Sequence, residues 1–353
     1  MFQVLRRVFA RLKQAPRGRR QLGWLAVVIA CLLLYGTTGF YLFEREAWAK
    51  DTEVTLGTGL WWSVVTMTTV GYGDLYPRTF IGRWFVGVPM MILGIGVLGY
   101  ALGTLATAVL DRRNKEARGM LPFTGSNHVL VCHFPSLEMV LEIAQEVRAD
   151  SAWKDKQIVL LSEQLEELPE ALGSAGVTFV RGSPSREAAL ESANVAGASG
   201  VIVLSRDPAD PNADNHTLAC VVTIRAIAPG AYVVAECLAN ENEKLLRNAG
   251  ASEVVRVDSL SAELLVQGLQ DPGVTGVISE LLTNRTGHQL YIHPVTSFRG
   301  DLAGAQAKLA PGRYACLGVI DASGARRFVP DPSTPVEPGH KLMLVGDTRP
   351  APL

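Results

Sequence analysis

Charge is missing from two long stretches of this 353-residue chain: no residue from Leu22 to Phe43 is charged, and none from Trp84 to Leu110. With 48% hydrophobic and only 19% charged residues, the chain is too apolar for a disordered protein and needs a membrane or an unusually large core. Cysteine is sparse and scattered. Cys31, Cys132, Cys220, Cys237 and Cys316 form no CxxC pair, and no histidine stands at metal-ligand spacing, which argues against a disulfide framework and a zinc site. They read as reduced thiols. Basic excess is lacking beyond the N-terminus: Arg6, Arg7, Arg11, Lys13, Arg17, Arg19 and Arg20 give the first 21 residues +7, whereas the whole chain carries −1 and residues 111–353 carry −7. That acidic remainder argues against nucleic acid as a partner.

A helix over Leu22 to Phe43, at about 1.5 Å per residue, crosses a hydrocarbon core of about 30 Å. A cleavable signal peptide is the competing reading, but no small-residue cleavage pattern follows the run. The second uncharged run exceeds the roughly 20 residues a span needs, so it tilts, bends or projects beyond the bilayer. Arg112, Arg113, Lys115 and Arg118 follow it. Basic flanks before the first span and after the second put both termini in the cytoplasm and residues 44–83 outside. Neither span repeats a basic residue at every third position, which argues against an intrinsic voltage sensor. Val4, Leu5, Val8, Phe9 and Leu12 recur at helical spacing, as in an amphipathic helix on the inner leaflet; a basic tail that only sets topology is the other reading.

The outward segment holds an apolar stretch, Gly57 to Thr68, too short to span but long enough for a re-entrant half-helix. Thr69-Val70-Gly71-Tyr72-Gly73-Asp74 follows it, and non-helical backbone at membrane depth survives only where protein or a water-filled cavity satisfies its carbonyls. Thr68 through Asp74, preceded by Trp61-Trp62-Ser63, resembles the selectivity filter and pore helix of potassium channels, and Leu22 to Leu110 resembles their two-span pore. The resemblance implies four copies about one axis, with carbonyls of Thr69, Val70, Gly71, Tyr72 and Gly73 and the Thr69 hydroxyl replacing the hydration shell of K+. It also implies that Tyr72 packs on Trp61 or Trp62, so that Trp61, Trp62, Thr68 and Asp74 support the filter. Many relatives pair that aspartate with a pore-helix glutamate. Val65 stands there instead, leaving Asp74 without this partner.

Gly94, Gly96, Gly99, Gly103 and Pro89 are each costly inside a helix. The channel resemblance implies a gating hinge at Gly94 or Gly96; close helix packing through small residues is the alternative. Ala106 and Leu110 are candidates for a constriction near the inner end.

Beyond a linker, short apolar runs at 128–132, 157–162, 177–180, 200–204, 232–236 and 253–257 alternate with helical patterns, as a doubly wound parallel sheet requires. Gly182-Ser183-Pro184, Ala193 to Ala198 and Asn248 to Ala251 resemble the turns of the RCK domain, the regulator of potassium conductance, and Gly287 to Asp347 its small C-terminal lobe. The first strand runs into His133-Phe134-Pro135-Ser136 with no glycine, whereas a GxGxxG loop needs glycine where backbone meets pyrophosphate. NAD is therefore not expected there. Calcium at the family's carboxylate site is not expected either, because only Glu236 matches: Leu204 and Leu238 occupy the other positions. Asp207, Asp210 and Asp214 read as a solvated, proline-containing loop. His133, Ser136, Glu163 and Glu236 are the candidates for a ligand site at the strand mouth, which takes an unidentified anionic or nucleotide-like ligand or, at His133, a proton.

The expected architecture is an α-helical membrane pore of two spans and a pore helix, then an α/β doubly wound Rossmann-like RCK domain and a small α+β lobe. The segments are a basic N-terminal 1–21, pore 22–110, linker 111–127, RCK N-terminal domain 128–270 and C-terminal lobe 271–353. The expected function is passive, potassium-selective conduction across the plasma membrane by a homotetramer gated by its cytoplasmic domain, not an enzyme. The alternative is a nucleotide-binding regulatory subunit of a separate potassium transporter. Relatives carry a ring of eight RCK lobes where four chains supply four; Met120 is either an internal start giving free copies or an ordinary linker methionine. Apart from K+ in the filter, no metal is expected.

Overall fold

A computed structural model describes residues 17–309, 313–350 and 353. The proposed surface helix at Val4 to Leu12 lies outside these. The chain divides between Arg113 and Asn114 into two compact units.

In the first unit, helix α1 (Arg17–Glu44) and helix α2 (Leu56–Met67) pack against the head of a long helix. That long helix begins as a π-helical turn, Gly82–Gly87, and continues as α3 (Val88–Ala117), seven residues past the end of the uncharged run. Gly23–Glu44 and Gly82–Ala117 are long and apolar enough to cross a membrane. Helix α2 starts where Thr55 and Thr58 cap each other: the Thr58 amide donates to Thr55 Oγ1 at 3.2 Å and the Thr55 amide to Thr58 Oγ1 at 2.8 Å. Its approach to α1 depends on missing side chains. A Cβ on Gly59 would lie 2.8 Å from the Thr37 carbonyl, and one on Gly36 would lie 2.5 Å from Ser63 Oγ. Phe40, Trp48, Val54, Trp62, Val86 and Met90 fill the space between.

The second unit contains a six-stranded parallel sheet in the order β3-β2-β1-β4-β5-β6. Its strands are β1 (His128–Cys132), β2 (Ile158–Ser162), β3 (Val177–Arg181), β4 (Ala198–Val203), β5 (Val233–Cys237) and β6 (Glu253–Arg256). Every residue of β1 and β2 is buried, because helices cover both faces and a central strand has no solvent side. The helices are α4 (Leu137–Ala149), α5 (Glu170–Ser174), α6 (Glu187–Ser192), α7 (Ala213–Ile227) and α8 (Glu243–Asn248). Strand order reverses between β1 and β4, so their carboxyl ends open a crevice, the usual ligand position of this architecture.

Helices α9 (Val257–Gln270) and α10 (Val274–Leu282) have no buried residue; Leu265, Leu269, Val277 and Leu282 are exposed. A small lobe follows. Strands β7 (Gln289–Pro294), β9 (Tyr314–Ile320), β10 (Arg326–Phe328) and β12 (Lys341–Gly346) form an antiparallel sheet ordered β10-β9-β12-β7, beside a short pair of β8 (Gly300–Asp301) and β11 (Pro335–Val336). Helix α11 (Leu302–Leu309) covers it over a core that includes Leu302, Ala305, Val319, Leu342 and Leu344. The entry to the lobe is tied to α4: Glu146 accepts from Thr283 Oγ1 at 2.8 Å, the Asn284 amide at 2.6 Å and Arg285 Nε at 2.8 Å.

Candidate functional site

Helix α2 ends at Thr68, whose hydroxyl donates back to the Val64 carbonyl at 2.7 Å. The next residues alternate in backbone hand. Thr69, Gly71 and Gly73 have φ of 60°, 60° and 76°, while Val70 and Tyr72 are not among the residues with positive φ. An ordinary strand points its carbonyls alternately to two sides; alternating right- and left-handed residues turns them to one side. Glycine takes the left-handed positions without the Cβ penalty that Thr69 bears.

Two contacts brace this segment. The Tyr72 ring stacks on Trp61, centroids 5.8 Å apart and planes within 7°, and Trp61 Nε1 donates to Asp74 Oδ2 at 2.8 Å. Asp74 thus has a partner, the Trp61 indole, that the sequence reading lacked. Val65 is buried and contributes packing. Trp62 points elsewhere, stacked on Phe40 of α1 at 4.7 Å, because consecutive helical residues do not share a face.

The chain after Asp74 is held by a residue the sequence reading missed. Glu44, fully buried at the end of α1, accepts from the Arg78 amide at 2.7 Å, the Thr79 amide at 3.1 Å and Thr79 Oγ1 at 2.7 Å. Gly82 makes room, since a Cβ there would lie 1.9 Å from Glu44 Oε1. Arg78 lies 3.5 Å over the Trp48 ring and pairs with Asp51. A charge at the end of an apolar run reads as a membrane boundary, which hid this role.

The two hinge candidates differ. A Cβ on Gly94 would lie 3.0 Å from Met67 Cα, so Gly94 allows close packing on the end of the pore helix, whereas Gly96 has nothing within 4 Å in the chain.

At the mouth of β1 and β4, His133 is buried with φ of 71°, and its Nε2 has no partner among the described residues. Burial first, then His216 and Arg206, lower its pKa to about 4. A pKa lowered that far favours the neutral imidazole near pH 7. Ser205 Oγ, at the end of β4, is likewise buried and unpartnered. Ser136 caps α4, accepting from the Met139 amide at 3.2 Å. Glu163 pairs with Arg206 at 3.3 Å, and Glu236 accepts from the Ser205 amide at 2.6 Å. Gln164 crosses the space that a glycine loop leaves open: its side chain accepts from the Phe134 amide at 3.1 Å and donates to the Arg206 carbonyl at 3.0 Å. This mouth does not fit a pyrophosphate laid on bare backbone.

The solvated-loop reading fails for Asp214. It is buried in the first turn of α7 and accepts from the amides of Leu238 and Ala239, both at 2.9 Å, and from Asn242 Nδ2 at 2.8 Å. With that carboxylate saturated and Glu236 engaged, the described residues contain no group of three acids, histidines or cysteines able to hold a metal ion.

A family model described as "Ion channel" matches residues 27–111, and one described as "Calcium-activated potassium channel slowpoke-like RCK domain" matches 124–241. The chain is a potassium channel with an RCK domain. This channel is 28% identical to the calcium-gated potassium channel TvoK of Thermoplasma volcanium over 99% of its own length and 97% of that protein's. It is 26% identical to the putative potassium channel protein YugO of Bacillus subtilis over 70% of this chain and 71% of that one. Among solved structures, the GsuK channel bound to NAD is 19% identical with a TM-score of 0.47, covering 94% of this channel, which spans 58% of the GsuK chain. The channel is ligand-gated, belongs to the membrane and is not an enzyme.

Proposed function

We propose that four copies surround one axis, that Thr69 to Gly73 form the selectivity filter, and that a small anion bound between the mouths of β1 and β4 sets the opening of the pore. The observation that carries the conduction reading is the alternation of φ at Thr69, Gly71 and Gly73, since carbonyls aligned on one side are what a dehydrated cation requires. Trp61, Tyr72 and Asp74 hold that backbone in place of a pore-helix glutamate, with Trp62 and Thr68 securing the pore helix behind it. Opening bends the inner helix at the glycines, with Gly96 the better hinge and Gly94 the pivot against the pore helix. The exposed apolar faces of α9 and α10 support assembly between cytoplasmic domains. Both termini face the cytoplasm.

At the mouth, the N-terminus of α4 and Arg206 favour negative charge, while His133 Nε2 and Ser205 Oγ await a polar partner. Glu163 and Glu236 hold Arg206 and the Ser205 amide. What the named relatives bind, calcium for TvoK and NAD for GsuK, does not match the residues present here. The test uses the full-length channel in planar bilayers with inorganic phosphate on the cytoplasmic side and ADP as the comparison. Phosphate is expected to change open probability and ADP is not, with the phosphate response lost in Ser205→Ala together with His133→Phe. A response that survives both substitutions contradicts the site.

A further inference from the structure

Pro89 lies in the first turn of α3, directly after the π-helical turn. In an α-helix, the N–H of residue 89 would bond the carbonyl of Phe85, and proline has none to give. The hydrogen-bond ladder is shifted there, with the Val88 amide donating to the Arg83 carbonyl five residues back. The Phe85 carbonyl instead accepts a hydrogen bond from the Tyr35 hydroxyl of α1.

The sequence of α1 lets the two helices come close enough for this. Glycines follow Tyr35 at positions 36 and 39. A Cβ on Gly36 would lie 3.1 Å from Met90 Sδ, and one on Gly39 would lie 2.8 Å from Val86 Cγ2. Val86 and Met90 are buried in the same cluster as Phe40 of α1. The crossing is therefore tight at the residues that flank the proline, and one long side chain reaches across it. A carbonyl left unpaired in hydrocarbon is costly, and a break in a membrane helix persists only where a neighbour supplies the missing partner.

We propose that Tyr35 is a positioning residue for gating: its hydroxyl replaces the N–H that Pro89 lacks and pins the head of the inner helix to the outer helix. Movement of the inner helix is then confined to the glycine segment below, Gly94 to Gly103, instead of spreading upward to the proline beside the filter. The gating part rests on the hinge reading above; the hydrogen bond does not, and the two fail in distinguishable ways.

The test combines a direct readout of the bond with a double-mutant cycle in the full-length channel in liposomes. Tyr35→Phe is expected to move the Phe85 carbonyl 13C resonance upfield in solid-state NMR. It is also expected to change the open–closed equilibrium constant by roughly three- to tenfold, the range of hydrogen bonds between membrane helices. Pro89→Ala restores a backbone N–H at the junction of the two registers, one that meets the Phe85 carbonyl where the helix resumes α geometry. In that background Tyr35→Phe is expected to alter neither quantity. An unmoved Phe85 resonance in Tyr35→Phe overturns the bond, and equal effects in both backgrounds overturn the substitution for the missing N–H. A moved resonance with an unchanged equilibrium constant overturns the positioning role and leaves a tether. Should Pro89→Ala fail to assemble, the two measurements on Tyr35→Phe alone decide.

Discussion

Replacing Glu44 with glutamine changes one buried atom from acceptor to donor. In the structure the carboxylate collects three hydrogens, from the Arg78 amide, the Thr79 amide and the Thr79 hydroxyl. Glutamine keeps one oxygen, so at least one of these donors faces an N–H. Exchanging a charge-assisted bond for a neutral one costs about 1–1.5 kcal/mol, and stranding a buried donor adds about 1–3, giving roughly 2–4 kcal/mol per chain. The segment released runs from Asp74 to the start of the Gly82–Ala117 helix. The assay is K+ flux decay in liposomes together with thermal dissociation of the assembly. Glu44→Gln is expected to speed the decay and lower the dissociation temperature. Gly82→Ala should act in the same direction, because its Cβ would displace Glu44 Oε1 from 1.9 Å. Asp51→Asn serves as the control: it disturbs an exposed ion pair with Arg78 and should leave both readouts nearly unchanged. Unchanged flux decay and dissociation in Glu44→Gln would refute the anchoring argument.

Asp74→Asn and Trp61→Phe should each destabilise the filter by about 1–2 kcal/mol, with Trp61→Phe keeping the stack on Tyr72, whereas Val65→Ala should leave single-channel inactivation nearly unchanged; equal effects of Asp74→Asn and Val65→Ala in single-channel records would sink the pairing. Gly94→Ala collides with Met67 and should cost about 1–3 kcal/mol of thermal stability; Gly96→Ala should preserve stability but lower open probability, and the reverse pattern would exchange their roles. His133 binds its proton near pH 4 in the folded chain and near 6.5 when unfolded, so the unfolded state takes up the proton first. Its contribution, about 3 kcal/mol, is present above pH 6.5 and lost as pH falls toward 4; His133→Phe should flatten the pH dependence of melting across that window, and an unaltered profile would contradict the burial argument.

Much of this was legible from the sequence because membrane spans and parallel strands announce themselves by what they exclude. The uncharged runs at Leu22 and Trp84 correspond to α1 and to the Gly82–Ala117 helix, and the six apolar runs to the six strands within two residues at each end. Gly71 and Gly73 stood out in the sequence because glycine takes a positive φ without a Cβ penalty, whereas the positive φ of Thr69 carried no such signal. What sequence could not reveal were partners set by tertiary approach. Trp61 and Asp74 are 13 residues apart across a reversal of the chain, and Glu44 reaches residues more than 30 positions away. His133 illustrates a different gap: its position at a strand mouth was evident, but its burial, which decides its charge, was not. Asp214 looked solvated beside two prolines and is instead the buried anchor of the loop after β5.

The central claim is that one-sided carbonyls between Thr69 and Gly73 stand in for water around K+. The most direct measurement is the ratio of K+ to Na+ flux through the purified full-length protein in liposomes, beside Gly71→Ala, which puts a Cβ where φ is 60°. Flux strongly favouring K+ is expected, with that preference lost in Gly71→Ala. Equal K+ and Na+ flux in the unaltered protein, or full selectivity retained in the variant, would contradict the claim.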